Sequence, residues 1–157
     1  MEIADPDKFP PGDYITVAVE IYTDGVELPK YESSGASGAD IRAKEGVLIQ
    51  PGCRELISTG IYLGIPEGWE VQLRPRSGLA YRDGVHAILG TIDSDYRGEI
   101  KVLLMNSSKV PFTVEPGMRI AQMVCNQVPK MYWLQVINEE LSKTERGEGG
   151  FGSTGTK

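Results

Sequence analysis

The residues of this chain that could do chemistry fall in five short segments. In Gly90-Thr91-Ile92-Asp93-Ser94-Asp95-Tyr96-Arg97-Gly98 an acid follows two β-branched residues and precedes an aromatic by three positions. The pattern reads as a strand, a polar turn and a second strand from Ile100, with Ser94 and Asp95 supplying the side-chain hydrogen bonds that start turns. Asp93 at the strand end would be a carboxylate fixed on rigid backbone, suited to general base work; equally, Asp93 and Asp95 could only cap the turn. Arg74-Pro75-Arg76-Ser77-Gly78-Leu79 gathers two cations, a hydroxyl and a helix start, the chemistry of a phosphate site or of an ordinary surface turn. Gly38-Ala39-Asp40-Ile41 sets an acid on a strand edge behind small residues, where a hard divalent cation could sit, or merely a lone aspartate.

The tail, Arg146-Gly147-Glu148-Gly149-Gly150-Phe151-Gly152-Ser153, looks at first like a phosphate loop. A nucleotide-triphosphatase loop needs Lys before its Ser or Thr and a helix after it, and neither is present. Consecutive glycine amides with Arg146 could still wrap an anion, and Phe151 could stack a base; a solubilising tail is the alternative. Arg119-Ile120-Ala121-Gln122-Met123 alternates as any half-buried strand does. His86 is the single histidine and sits between Val85 and Ala87, so a structural role is expected for it. Cys53 and Cys125 form no CxxC and read as buried small hydrophobes. Trp69, Tyr132 and Trp133 read as core or subunit-contact residues.

The elements that must position these residues are nearly all strands. Runs at Tyr14 to Tyr22, Val47 to Ile49, Arg54 to Ile65, Trp69 to Leu73, Ile100 to Met105, Pro111 to Val114, Arg119 to Asn126 and Tyr132 to Val136 are rich in β-branched and aromatic residues. Pro51-Gly52, Pro66-Glu67-Gly68 and Pro75 punctuate them at the spacing of a barrel or sandwich. Helical periodicity is confined to Ser77 to Arg82, with Ser77 as the expected cap. The class is therefore all-β. Residues 1–13 read as a flexible N-terminal arm, 14–137 as one β domain, and 138–157 as a C-terminal arm too Gly-rich to hold a conformation alone.

Composition narrows the partners. With 157 residues there is room for one real core, and a net charge of −6 lacks the basic excess that drives binding to nucleic acid polymers. No apolar run approaches a membrane span, and the acidic start is unlike a secretion signal. The expected setting is intracellular and reducing, cytoplasmic or nuclear, with free thiols.

Taken in order, Ala36-Ser37-Gly38-Ala39-Asp40, Pro75-Arg76-Ser77-Gly78-Leu79-Ala80, the Asp93 segment, Arg119-Ile120-Ala121-Gln122-Met123 and the Arg146 to Ser153 tail resemble the five sequential motifs of the trimeric deoxyuridine triphosphatases. The resemblance spans about Tyr14 to Gly155 and is specific through the order of all five. It implies a jelly-roll-like β-barrel (β-clip) and a homotrimer whose sites are shared between three chains. The implied reaction is Mg²⁺-dependent hydrolysis of dUTP to dUMP and pyrophosphate, which limits uracil in DNA and supplies dUMP for dTMP synthesis. Asp93 matches the acid that holds the water attacking the α-phosphate, and Tyr96 the aromatic that packs on the deoxyribose and excludes a 2′-hydroxyl. Gly90, Thr91 and Ile92 match the backbone that reads uracil; Arg76, Ser77, Gly78 and Gln122 match phosphate contacts. Asp40 matches the acid that holds Mg²⁺ through water, and Arg119 an arginine associated with the catalytic acid. Lys101 aligns beside the nucleoside pocket, while Arg146, Phe151, Gly152 and Ser153 match the arm that closes over the ligand. Ala87 stands where many bacterial relatives have an Asn that helps bind uracil, so main-chain recognition must carry more of that work.

Two other readings compete. A dCTP deaminase of the same fold would need a Glu at position 103, which is Leu103, and a doubled Ser after Arg76, where the chain has Ser77-Gly78. A non-catalytic nucleotide-binding regulator would have no use for Asp93, Tyr96, Gln122 and a complete arm together.

Overall fold

A computed structural model describes residues 15–136, 141 and 144–150. The N-terminal arm at 1–13 and the tail residues Phe151, Gly152 and Ser153 lie outside the described residues. Ten strands and one helix are described: β1 Glu20–Thr23, β2 Ala39–Arg42, β3 Val47–Ile49, β4 Arg54–Gly64, β5 Trp69–Arg74, α1 Ser77–Asp83, β6 Val85–Ala87, β7 Gly90–Ile92, β8 Ile100–Asn106, β9 Phe112–Val114 and β10 Arg119–Gln127. The expected all-β class with one short helix holds, and no helix of the described residues is long and apolar enough to cross a membrane.

The strands form two four-stranded sheets, β1-β4-β8-β6 and β2-β10-β5-β7, with a two-stranded β3-β9 ribbon. Every strand pairing is antiparallel, and the three sheets stay open rather than joining into one closed barrel. Alternation sets the inner faces. In β8, Ile100, Val102, Leu104 and Asn106 are buried while Lys101 is exposed. The core joins Ile57, Ile61, Val85, Val102 and Leu104 of one sheet to Ile41, Val71, Leu73, Ala121 and Met123 of the other. Asn106 is fully buried, yet its amide donates to the carbonyls of Ile49 and Val110 and its Oδ1 accepts from Ser108, so burial leaves no orphan polar atom there.

Several expectations need correction. The first strand is shorter than Tyr14 to Tyr22 and begins at Glu20, where pairing to β4 starts. Tyr132 to Val136 forms no strand; Met131, Tyr132, Trp133 and Leu134 are largely exposed, and among the described residues no strand pairs with their backbone. Ser77 is the first helical residue rather than the cap; Arg76 caps α1 in extended conformation without a side-chain bond. Gly84 ends α1 at φ 64°, a left-handed conformation that favours glycine. The segment around Asp93 is not a hairpin either. β7 pairs with β5 and β8 pairs with β4 and β6, so the Asp93 turn carries the chain from one sheet to the other.

Candidate active site

Two open clefts hold most of the chemistry-bearing residues, and they share no lining residue. The first, about 240 Å³, is lined by Glu32, Gly38, Asp40, Arg76, Ser77, Arg119 and Gln122 among others. Strand pairing assembles it: Gln122 of β10 faces Asp40 of β2 on one side and Arg74 of β5 on the other, which delivers Arg76 two residues later. Gly38 makes the approach possible, since a Cβ there would lie 2.9 Å from that of Gln122. Asp40 is buried and held by two guanidiniums. Arg76 donates from Nε to Oδ1 at 3.2 Å and from Nη2 to Oδ2 at 3.3 Å, and Arg119 Nη1 lies 3.2 Å from Oδ2. Arg76 Nη1 also donates to the Arg119 carbonyl at 3.3 Å. Three of the five guanidinium N–H groups of Arg76 are thereby used and two remain for a ligand.

Arg119 therefore contacts Asp40 and Glu32 within the chain, not Asp93. The ordering has a simple physical cause: β10 runs beside β2, so the register that brings Gln122 to Asp40 also brings Arg119 to the carboxylate. Gln122 itself donates to the Pro75 carbonyl at 3.3 Å and tethers the segment that carries Arg76.

The second cleft, about 270 Å³, is lined by Leu56, Thr91, Ile92, Asp93, Tyr96, Glu99 and Lys101. Asp93 is exposed at the end of β7, where its carbonyl accepts the Tyr96 N–H at 3.1 Å and closes the turn. The Tyr96 ring folds back over Gly98, and its hydroxyl donates to the Glu99 carbonyl at 3.0 Å. A Cβ at position 98 would collide with the ring and hydroxyl, so Gly98 is the residue that lets Tyr96 lie there. The sequence pattern assigned no role of their own to Gly98 or Glu99. Burial opposes the charge of Glu99, but hydrogen bonds from Ser58 and Gly60 and the Lys101 ammonium outweigh it and hold the carboxyl below its ordinary range.

Among the described strands β7 is the edge of its sheet, so no described strand takes up its outer backbone groups. Ala87 is buried in β6, paired with Leu104, and reaches neither cleft. Leu103, half-buried on β8, places no acid beside the clefts. Arg146 is exposed in a local turn, its Nε donating to the Gly149 carbonyl at 2.7 Å. Against expectation Cys53 is exposed, while Cys125 is half-buried and burial pushes its thiol up.

The two clefts lie apart within one chain. Asp93 sits one step beyond the Val71–Ile92 pair and Gln122 faces Arg74, two strands away. Four residues along the strands and two strand spacings across them put Asp93 roughly 16 Å from Gln122. A base must lie within hydrogen-bond reach of the water it activates, so phosphate held at Arg76 and Gln122 cannot be attacked from Asp93 of the same chain.

A family model described as dUTPase matches residues 24–155. The chain is 50% identical over 139 residues to the deoxyuridine 5'-triphosphate nucleotidohydrolase of Fusobacterium nucleatum subsp. nucleatum, covering 86% of this chain and 94% of that one. It is 53% identical over 135 residues to the enzyme of the same name from Chlamydia trachomatis serovar L2, covering 83% and 92%. Its fold matches a mutant dUTPase of Staphylococcus bacteriophage 80alpha solved with dUpNHpp, at a TM-score of 0.82 and 25% identity over 89% of this chain and 99% of that one.

Proposed function

The chain belongs to the dUTPase family, and we propose that it hydrolyses dUTP to dUMP and pyrophosphate with Asp93 as the base. The observation that carries this reading is Asp93 at the end of a rigid edge strand, sharing one open cleft with a Tyr96 ring locked over Gly98. Asp93 orients a water and takes its proton as the oxygen attacks the α-phosphorus. The bond to the bridging oxygen breaks, and pyrophosphate leaves with the electron pair. The face of Tyr96 packs on the deoxyribose where a 2′-hydroxyl would otherwise sit. The free outer edge of β7, at Gly90, Thr91 and Ile92, reads uracil through backbone groups, which accounts for recognition without an Asn at position 87.

The phosphates belong at the other cleft. The two unused N–H groups of Arg76, the Ser77 hydroxyl, the backbone at Gly78 and Gln122 contact them, with Arg146, Phe151, Gly152 and Ser153 of the arm closing over the ligand. Arg119 acts by fixing Asp40, to which it is paired. Mg²⁺ typically keeps several waters and takes few direct protein ligands, so a single acid can support it. Asp40 fits the supporting role: Oδ1 accepts one hydrogen bond, from Arg76, and keeps a lone pair for a metal-bound water. The ion supplies charge neutralisation along the triphosphate. Because Asp93 and the Arg76 cleft are too far apart in one chain, the working site takes them from different copies of the chain, in the homotrimer that the family resemblance implies.

Pyrophosphate release from dUTP, but not from UTP, dTTP or dCTP, tests the assignment. Asp93→Asn is expected to lower kcat by at least about a hundredfold, and chelation of Mg²⁺ to depress turnover with it. Undiminished turnover in Asp93→Asn removes the base from the mechanism, and ammonia release from dCTP would replace the hydrolase with a deaminase.

A further inference from the structure

We propose that Glu99 is a positioning residue for the nucleoside half of the site: it ties Lys101 and the bulge of β4 into the fixed wall against which the nucleoside lies. This rests on the function proposed above and adds to it a residue that the motif pattern does not single out.

The two oxygens of Glu99 have different jobs. Oε1 accepts from the Ser58 hydroxyl and from the Gly60 N–H, the latter at 2.9 Å, so it is committed to the scaffold. Oε2 points instead to Lys101 Nζ at 3.6 Å. The scaffold it grips is a β-bulge. The register of β4 against β8 shifts between Ser58 and Ile61, Gly60 adopts φ 69°, and Thr59 donates to the Ile100 carbonyl and accepts from the Ile61 N–H. Glu99 thus joins the irregular point of one strand to a cation on the next.

Position in the cleft gives this joint a consequence. Glu99 and Lys101 both line the cleft that holds Asp93 and Tyr96, and the Glu99 carbonyl is the acceptor on which the Tyr96 hydroxyl rests. The Glu99 side chain is 18% exposed and the Lys101 side chain 45%, so the acid is the anchored partner and the lysine the one facing ligand. An ion pair between two mobile side chains contributes little because ordering both costs entropy. Here one partner is already fixed by its scaffold bonds, so only the lysine is ordered. At 3.6 Å the pair is an electrostatic contact rather than a hydrogen bond, so it orients the ammonium and leaves its N–H donors for the ligand. It also cancels the acid's charge, so this wall of the cleft presents directed donors without net charge, as an uncharged base and sugar require.

Glu99→Gln keeps a carbonyl oxygen for Ser58 and Gly60 and turns the group facing Lys101 from an anionic oxygen into a neutral NH2. It is expected to raise the KM for dUTP and the calorimetric Kd for dUMP by about threefold to tenfold while kcat changes less than about twofold. Lys101→Met, at a half-exposed position that carries no fold, is expected to show the same loss, and Glu99→Gln in that background to add nothing. Wild-type KM and Kd in either single variant overturn the proposal. So does a Glu99→Gln effect of equal size with and without Lys101, which marks a purely structural acid. A wild-type protein that releases no pyrophosphate from dUTP defeats the proposed function instead, a result read before any variant is compared.

Discussion

Tyr96 and Gly98 form a unit in which the smaller residue decides what the larger one can do. The ring lies where a Cβ on residue 98 would be, with the hydroxyl bonded to the Glu99 carbonyl. Gly98→Ala must therefore expel the ring from its resting place, although Gly98 itself touches no ligand in the proposed mechanism. Sugar discrimination is expected to fall in Gly98→Ala as it does in Tyr96→Ala, measured as the ratio of kcat/KM for dUTP to that for UTP. Unchanged discrimination in Gly98→Ala would separate the ring's position from its selectivity and defeat the packing account. Asp93 and Asp95 part company at the same scale. Asp93 lines the cleft, whereas Asp95 lies within the turn and lines neither cleft. Read alone, the segment left Asp93 and Asp95 alike as turn acids, because side-chain chemistry is the same in the two roles; the five motifs in order singled out Asp93 as the expected base.

At the scale of elements, the strands were legible where alternation and punctuation agreed. β3, β4, β5, β8, β9 and β10 begin within one residue of the pattern in the sequence, since each has one buried face and a Pro or Gly signal nearby. What failed was pairing. The strand, turn and strand around Asp93 were visible, yet the sequence gives no local sign that β7 joins β5 and β8 joins β4, a choice made by long-range contacts. β6 escaped notice because Val85, His86 and Ala87 are too few to show a period. The bulge in β4 was equally hidden, and with it the purpose of Glu99. That bulge should also make stability depend on pH. The Glu99 carboxyl lies below its ordinary value in the fold, so the unfolded chain binds its proton more readily. Its contribution is complete above the unfolded value, near pH 4.3, and is lost as pH falls through the lower folded value. Thermal midpoints recorded from pH 6 downward are expected to fall on the acid side, with a shallower acid limb in Glu99→Gln. An identical limb in both proteins would mean that Glu99 titrates alike folded and unfolded.

For the whole molecule, one chain separates two groups of residues that the proposed reaction needs together. Cleft residues Arg76 and Gln122 stand at one end of a sheet and Asp93 beyond the other, and Met131 to Leu134 carry exposed apolar side chains with no partner element among the described residues. The five motifs in order were legible in the sequence as a resemblance, but their separation was not, because spacing along a chain says nothing of distance across a sheet. The arm belongs to this scale as well. Truncation before Arg146 is expected to leave the assembly intact by sedimentation and to remove most turnover, since ordering a Gly-rich segment costs about 1 to 2 kcal/mol per residue and is met only over bound ligand. Sharing between copies has a sharper test. Arg76→Ala and Asp93→Asn variants, each inactive alone, can be unfolded together, mixed in equal amounts and refolded. If a site draws Asp93 from one copy and Arg76 from another, each requirement is met half the time, and about a quarter of wild-type activity returns. If both residues serve within one chain, every site lacks one of them and the mixture stays as inactive as its parts. Recovery near one quarter, scaling with the product of the two fractions as the ratio is varied, would establish the shared site; a flat, inactive series would return both residues to a single chain and require Asp93 or Arg76 to be reassigned.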